Sequence, residues 1–119
     1  MSIALVANTK VYLALAPVDM RKGFDGLSAQ VQQVLHLDPF SGHLFLFRGK
    51  RGDRLKAIYW DGGGLCLYAK RLEKGRFVWP STRANIALRL SGAQLAMLIE
   101  GLDWRHAIVH DECAVPTTA

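Results

Sequence analysis

The apolar positions of this chain change their spacing several times, and each change marks a new element. Val11-Tyr12-Leu13-Ala14-Leu15-Ala16 is an unbroken apolar run stopped by Pro17, which suits a strand buried on both faces. After a turn that Asp19 can cap, Phe24, Leu27, Val31, Val34 and Leu35 recur at helical spacing, with polar Ser28, Gln30, Gln32 and Gln33 between them. The spacing predicts a helix over about 24–36. It must end before Asp38-Pro39, because proline disfavours helical dihedrals in the preceding residue and lacks the amide that would continue the ladder.

From His43 the period shortens. The segments His43 to Arg48, Arg54 to Trp60, Leu65 to Leu72 and Arg76 to Trp79 read as strands, separated by turns at Gly49 to Asp53, at Asp61-Gly62-Gly63-Gly64 and at Glu73-Lys74-Gly75. The connections are too short for crossovers, so this is an antiparallel meander over about residues 43–79, closed by Pro80. A further strand is expected from Asn85 to Leu90. Ser91-Gly92-Ala93-Gln94 then forms a capping-box start to a helix over about 92–101, with Leu95, Leu98, Ile99 and Leu102 as its buried stripe and Gly101 near its end. The expected architecture is α+β: a mostly antiparallel sheet of five to six strands with two main helices packed on one face.

A chain of 119 residues, half of them apolar, fits one domain with one core, with 1–9 and 106–119 peripheral. The apolar runs Ile3 to Ala7 and Val11 to Val18 are too short to span a bilayer, so no membrane partner is expected. Cys66 and Cys113 lie 47 positions apart behind no secretory leader, which argues against a structural disulfide and for the cytoplasm.

Charge adds what the pattern alone does not. Nine of the fifteen Lys and Arg residues fall between Arg48 and Arg76: Arg48, Lys50, Arg51, Arg54, Lys56, Lys70, Arg71, Lys74 and Arg76. Against Asp53, Asp61 and Glu73 that leaves the segment at +6, while the other ninety residues come to −1. A basic field focused on one structural unit suits a polyanion, because each phosphate neutralised releases condensed counterions. Alternation along Arg54 to Trp60 sends Arg54, Lys56, Ile58 and Trp60 to one face and Leu55, Ala57 and Tyr59 to the other. Cations beside an indole suit single-stranded nucleic acid, with Trp60 as a stacking platform; duplex would lean on the turn residues Lys50 and Arg51. Trp60 fits the core equally well, and Trp79 and Trp104 are expected there.

Other constellations carry less. Asp53, Asp61 and Glu73 invite a comparison with metal-dependent nucleases, but they sit in turns among cations, where surface ion pairing suffices. Asp19 and Asp25 read as a cap and a solvated helical residue. His106 and His110 stand four apart with Cys113 three further on, which imitates a metal site without a fourth ligand. Cys66 reads as a small buried apolar side chain. Gly62 to Gly64 lack the following Lys-Ser or Lys-Thr of a phosphate loop and make a turn. The residues thus supply no catalytic constellation, no metal site and no cofactor site.

Several ordered blocks are familiar: Val11-Tyr12-Leu13-Ala14, Asp19-Met20-Arg21-Lys22-Gly23-Phe24-Asp25-Gly26-Leu27 and Asp38-Pro39-Phe40-Ser41-Gly42-His43-Leu44-Phe45. They continue in Arg51-Gly52-Asp53-Arg54-Leu55-Lys56, Tyr59-Trp60-Asp61, Lys70-Arg71-Leu72-Glu73-Lys74-Gly75-Arg76-Phe77, Trp79-Pro80 and Gly101-Leu102-Asp103-Trp104. In these blocks, spanning about residues 11–104, the chain resembles the TnpB accessory proteins of the bacterial insertion-sequence family sixty-six. Ala69 departs from the pattern, standing where an aromatic is common. The resemblance implies a role in transposition beside a separate transposase that supplies the acidic catalytic residues. The expected partners are DNA, the transposase and other proteins of the same element. Two functional readings follow: a non-catalytic factor that binds DNA through the basic meander, or an interaction module that docks on the transposase. A metal-dependent nuclease is the third and weakest.

Overall fold

The computed structural model describes residues 8–81, 85–106 and, as backbone, 114–116. Six strands form one sheet in the order β4-β3-β2-β1-β5-β6. In chain order they are β1 (Val11–Ala14), β2 (Leu44–Arg48), β3 (Arg54–Trp60), β4 (Leu65–Arg71), β5 (Asn85–Leu90) and β6 (Ala114–Pro116), with α1 (Phe24–Gln33) between β1 and β2 and α2 (Gly92–Ile99) after β5. All neighbouring pairs are antiparallel except β1 and β2, which run parallel because α1 carries the chain back across the sheet. The α+β class and the predominance of antiparallel pairing are as the sequence leads one to expect.

Side-chain alternation builds two hydrophobic clusters rather than one. Tyr12, Ala14, Phe45, Phe47 and Ile58 pack with Leu27, Val31 and Leu35 of the α1 segment; Val11, Leu13, Leu44, Leu46, Leu55 and Ala57 pack with Leu95 and Leu98 of α2, together with Phe77 and Trp104. The helices therefore cover opposite faces of the sheet, where the sequence pattern suggested one. The cause lies in β1 and β2, every apolar residue of which is buried: a strand apolar on both sides needs a cover on both sides. Leu27 and Val31 are fully buried, and burial of such side chains, at about 1.5–3 kcal/mol each, docks an α1 that has no side-chain cap. The predicted capping box of α2 is present, with Ser91 Oγ accepting from Gln94 N–H and Gln94 Oε1 from Ser91 N–H, both at 3.0 Å.

Two further differences concern the meander and the chain's end. Arg76 to Trp79 is not a fourth strand. Its main chain folds under the β2–β3 turn, where Phe77 N–H and Trp79 Nε1–H both donate to Gly52 O, at 2.9 and 3.0 Å. Gly52, buried with φ of +83°, supplies the turn that presents this carbonyl. Ala114–Pro116, in the stretch read as peripheral, pairs with β5. The expected lead-in before residue 8 and the stretches 107–113 and 117–119 lie outside the described residues, and with them His110 and Cys113.

Candidate nucleic-acid interface

α1 packs nearest β3 and β4 and α2 nearest β5, yet no residue of β4 is fully buried, and exposed strand positions can carry charge. The β2–β3 turn, the start of β3, the end of β4 and the loop after it all meet at one end of the sheet. They bring together Lys50, Arg51, Arg54, Arg71, Lys74 and Arg76, each exposed. Arg54 and Arg71 are directly opposed across the β3–β4 ladder. Since Leu72 N–H donates to Asp53 O at 2.8 Å, the next pair along, Arg54 and Arg71, is a non-hydrogen-bonded one, in which side chains approach most closely. Like charges directly opposed across a ladder are destabilising, here eased by the Arg71–Glu73 pair. An anion seated between them would remove that cost.

The remaining cations of the segment are committed elsewhere. Lys56, half-buried, donates from Nζ to Lys22 O at 2.9 Å and ties the chain before α1 to β3. Lys70 points to the α2 face and donates from Nζ to Ile99 O at 2.8 Å, satisfying a carbonyl at the end of that helix. Arg48 lies over the Trp79 ring, 4.9 Å from its centroid. Arg71 also pairs with Glu73 at 3.0 Å, in an exposed geometry worth little.

Trp60 sits at the far end of β3, roughly 20 Å from Arg54 by strand rise. It is half-buried and stands edge-on to Phe40, with ring centroids 5.7 Å apart. The indole is thus on the same face as Arg54 but not beside the cluster. Trp104 is buried, its Nε1–H donating to Val78 O at 2.8 Å, and Trp79 is half-buried against the same core.

Two cations from outside the densely charged run, Arg21 and Lys22, lie on a segment beside this end of the sheet. Val18 N–H donates to Arg48 O at 2.9 Å, which lays the 18–22 segment alongside the basic end. Arg21 is 92% exposed and grips Asp19 at 2.7 Å. That contact holds the Asp19 carboxyl well below the usual carboxylate range, chiefly through the Arg21 side-chain hydrogen bond and then its backbone N–H. The signal lay in the Asp19 to Leu27 block, whose two cations fall outside the densest run of charge.

The carboxylates do not assemble. Asp53 and Asp61 stand at opposite ends of β3, and Asp61 Oδ1 is occupied by Gly63 and Gly64 N–H at 2.8 and 2.7 Å, which lowers its pKa. No group of three His, Cys, Asp or Glu among the described residues is placed to hold a metal. Cys66 is half-buried rather than enclosed by leucines. The ladder sets it opposite Tyr59, and its Sγ lies 3.5 Å from Asp61 Oδ2; burial first, then that contact, push the thiol pKa up. No helix among the described residues is long and apolar enough to cross a membrane.

Comparison with known proteins agrees with the ordered blocks. The uncharacterized protein y4hO of Sinorhizobium fredii is 52% identical over 99 residues, covering 83% of this chain and 85% of its own. A second protein of that organism, y4jC, is 45% identical over 95 residues, 80% of each. No solved structure matches. Residues 9–108 match the family described as IS66 Orf2 like protein, and the chain belongs to that family, which points to an accessory role in insertion-sequence transposition.

Proposed function

We propose that this protein is a non-catalytic transposition factor that grips DNA by its phosphates through the basic end of the sheet. The observation that supports it is the convergence of Lys50, Arg51 and Arg54 from one stretch of chain with Arg71, Lys74 and Arg76 from another, the opposed Arg54–Arg71 pair at the centre. Phosphate contacts fix a protein on nucleic acid without reading sequence. With Trp60 a strand's length away and Trp79 half-buried beneath Arg48, neither indole is an open stacking platform beside the cations, which favours duplex over single strands. Mobility-shift titration of duplex and single-stranded oligonucleotides of equal length tests this. Duplex should bind more tightly, with a steep fall as salt rises. Salt-insensitive binding, or none, refutes it.

A second reading, docking on the transposase of the same element, draws support from Phe40, 52% exposed at the other end of the sheet and packed edge-on to Trp60. Exposed aromatic pairs suit protein contacts better than phosphate. Pull-down with nuclease treatment separates the two: a transposase interaction that persists without nucleic acid supports docking, and one that vanishes supports DNA binding.

A further inference from the structure

We infer that the outer edge of β4 is a self-association surface, where a second copy of this chain pairs antiparallel to the first. The ladder with β3 fixes which main-chain groups are already used. Leu72 N–H donates to Asp53 O and Asp61 N–H to Gly64 O. Bonded and non-bonded pairs alternate in an antiparallel ladder. Cys66, Tyr68 and Lys70 therefore turn their N–H and C=O groups toward β3, while Leu65, Leu67, Ala69 and Arg71 turn theirs outward. β4 ends the sheet on this side, and among the described residues no main-chain or side-chain bond reaches those outward groups. Natural edges are protected by shortness, proline or charge. β6 obeys that rule, with three residues ending in Pro116; β4 has seven residues and no proline.

Charge selects the occupant. The cations of β4, Lys70 and Arg71, lie together at its C-terminal end, and Leu65-Cys66-Leu67-Tyr68-Ala69 is uncharged. Antiparallel pairing centred on Tyr68 sets Arg71 opposite Leu65 of the partner subunit and Leu67 opposite Ala69 of the partner subunit. Every outward N–H and C=O then finds a complement. The two Arg71 side chains end up roughly 20 Å apart along the strands, beyond the Debye length of about 10 Å at 0.1 M salt. Parallel pairing in register would stack them. The two Tyr68 rings meet at the two-fold axis in a non-hydrogen-bonded pair, the closer of the two kinds, where aromatic pairs are stabilising. The contact is isologous and closes as a dimer.

Sedimentation equilibrium of nucleic-acid-free protein in about 1 M salt, where the Debye length is about 3 Å, removes bridging by DNA. It therefore tests this surface independently of the phosphate-binding reading. The mass should be twice 13.2 kDa. Ala69→Pro deletes an outward donor and leaves the β3 ladder intact, so it should return the monomer mass with unchanged far-UV circular dichroism. Tyr68→Cys in a Cys66→Ala, Cys113→Ala background should form a disulfide-linked dimer on oxidation, since opposed residues of this kind lie within disulfide range. If Ala69→Pro does not fold, the cross-link decides alone. A monomeric wild-type protein overturns the proposal, including one that takes up a strand only from another protein. So does a dimer that does not cross-link at position 68.

Discussion

Arg54 and Lys70 sit on adjacent strands of the same charged segment, yet one is exposed and the other bonded to a helix carbonyl, and under the proposed phosphate grip that contrast can be measured. Arg51 and Arg54 are exposed at the basic end, whereas Lys70 faces α2 with its Nζ on Ile99 O at 2.8 Å. Each phosphate contact on duplex DNA adds about 0.9 to the slope of log affinity against log salt. Extrapolated to 1 M, where the counterion term vanishes, one contact is worth about eightfold in affinity at 0.1 M. Replacing Arg51 and Arg54 with alanine should therefore flatten the slope by about 1.8 and weaken binding at 0.1 M by roughly sixtyfold, with no loss of thermal stability, since Arg54 opposes the like charge of Arg71. Lys70→Ala should do the reverse. It keeps the slope and loses a partly buried charge-assisted bond, at about 1 kcal/mol after allowance for solvent, or roughly 4 °C in melting temperature. Fluorescence anisotropy at four or five salt concentrations, with a melting curve for each variant, provides both readouts. If the double variant keeps the wild-type slope, or Lys70→Ala lowers it as much as one of the arginines does, the division of roles is wrong.

Three further outcomes concern the frame that holds this site. Gly52→Ala adds a Cβ at φ of +83° and 3.2 Å from Trp79 Nε1, so it should cost about 2 kcal/mol and loosen the loop carrying Arg76; urea unfolding with a change under 0.5 kcal/mol would argue that the turn adapts. Ser91→Ala should lower stability by about 1 kcal/mol through loss of the α2 capping box, with DNA affinity unaffected, as urea unfolding and anisotropy would register. The Asp103 carboxyl is held down to about 2, first by the Arg105 side-chain hydrogen bond and then by the Arg105 backbone N–H. Because its folded value lies below the ordinary 3.8, its contribution is complete above that pH and fades as pH falls toward 2. Carboxyl-detected NMR titration should show Asp103 titrating late, and Arg105→Ala should restore it toward the ordinary range; equal midpoints in both proteins contradict the assignment.

The main elements were legible in the chain because their causes are local. Helical spacing from Phe24 to Leu35, the Ser91-x-x-Gln94 box and the glycine turns around β3 and β4 are read within a few residues, and the structure bears each of them out. Arg76 to Trp79 is not a strand because the Phe77 N–H and the Trp79 indole N–H both go to Gly52 O, more than twenty positions earlier, a partner that no local pattern announces.

What the sequence by itself determined is the set of elements, the alternation of β3 and the crowding of cations between Arg48 and Arg76, all properties of residue type and short-range spacing. Only the tertiary structure decided that α1 and α2 take opposite faces, and which cations remain available. Lys56 and Lys70 are withdrawn by carbonyls 34 and 29 positions away, and the segment carrying Arg21 and Lys22 arrives from outside the charged run. The physical reason is that charge is a property of a residue, whereas its availability depends on what the fold brings within hydrogen-bonding distance.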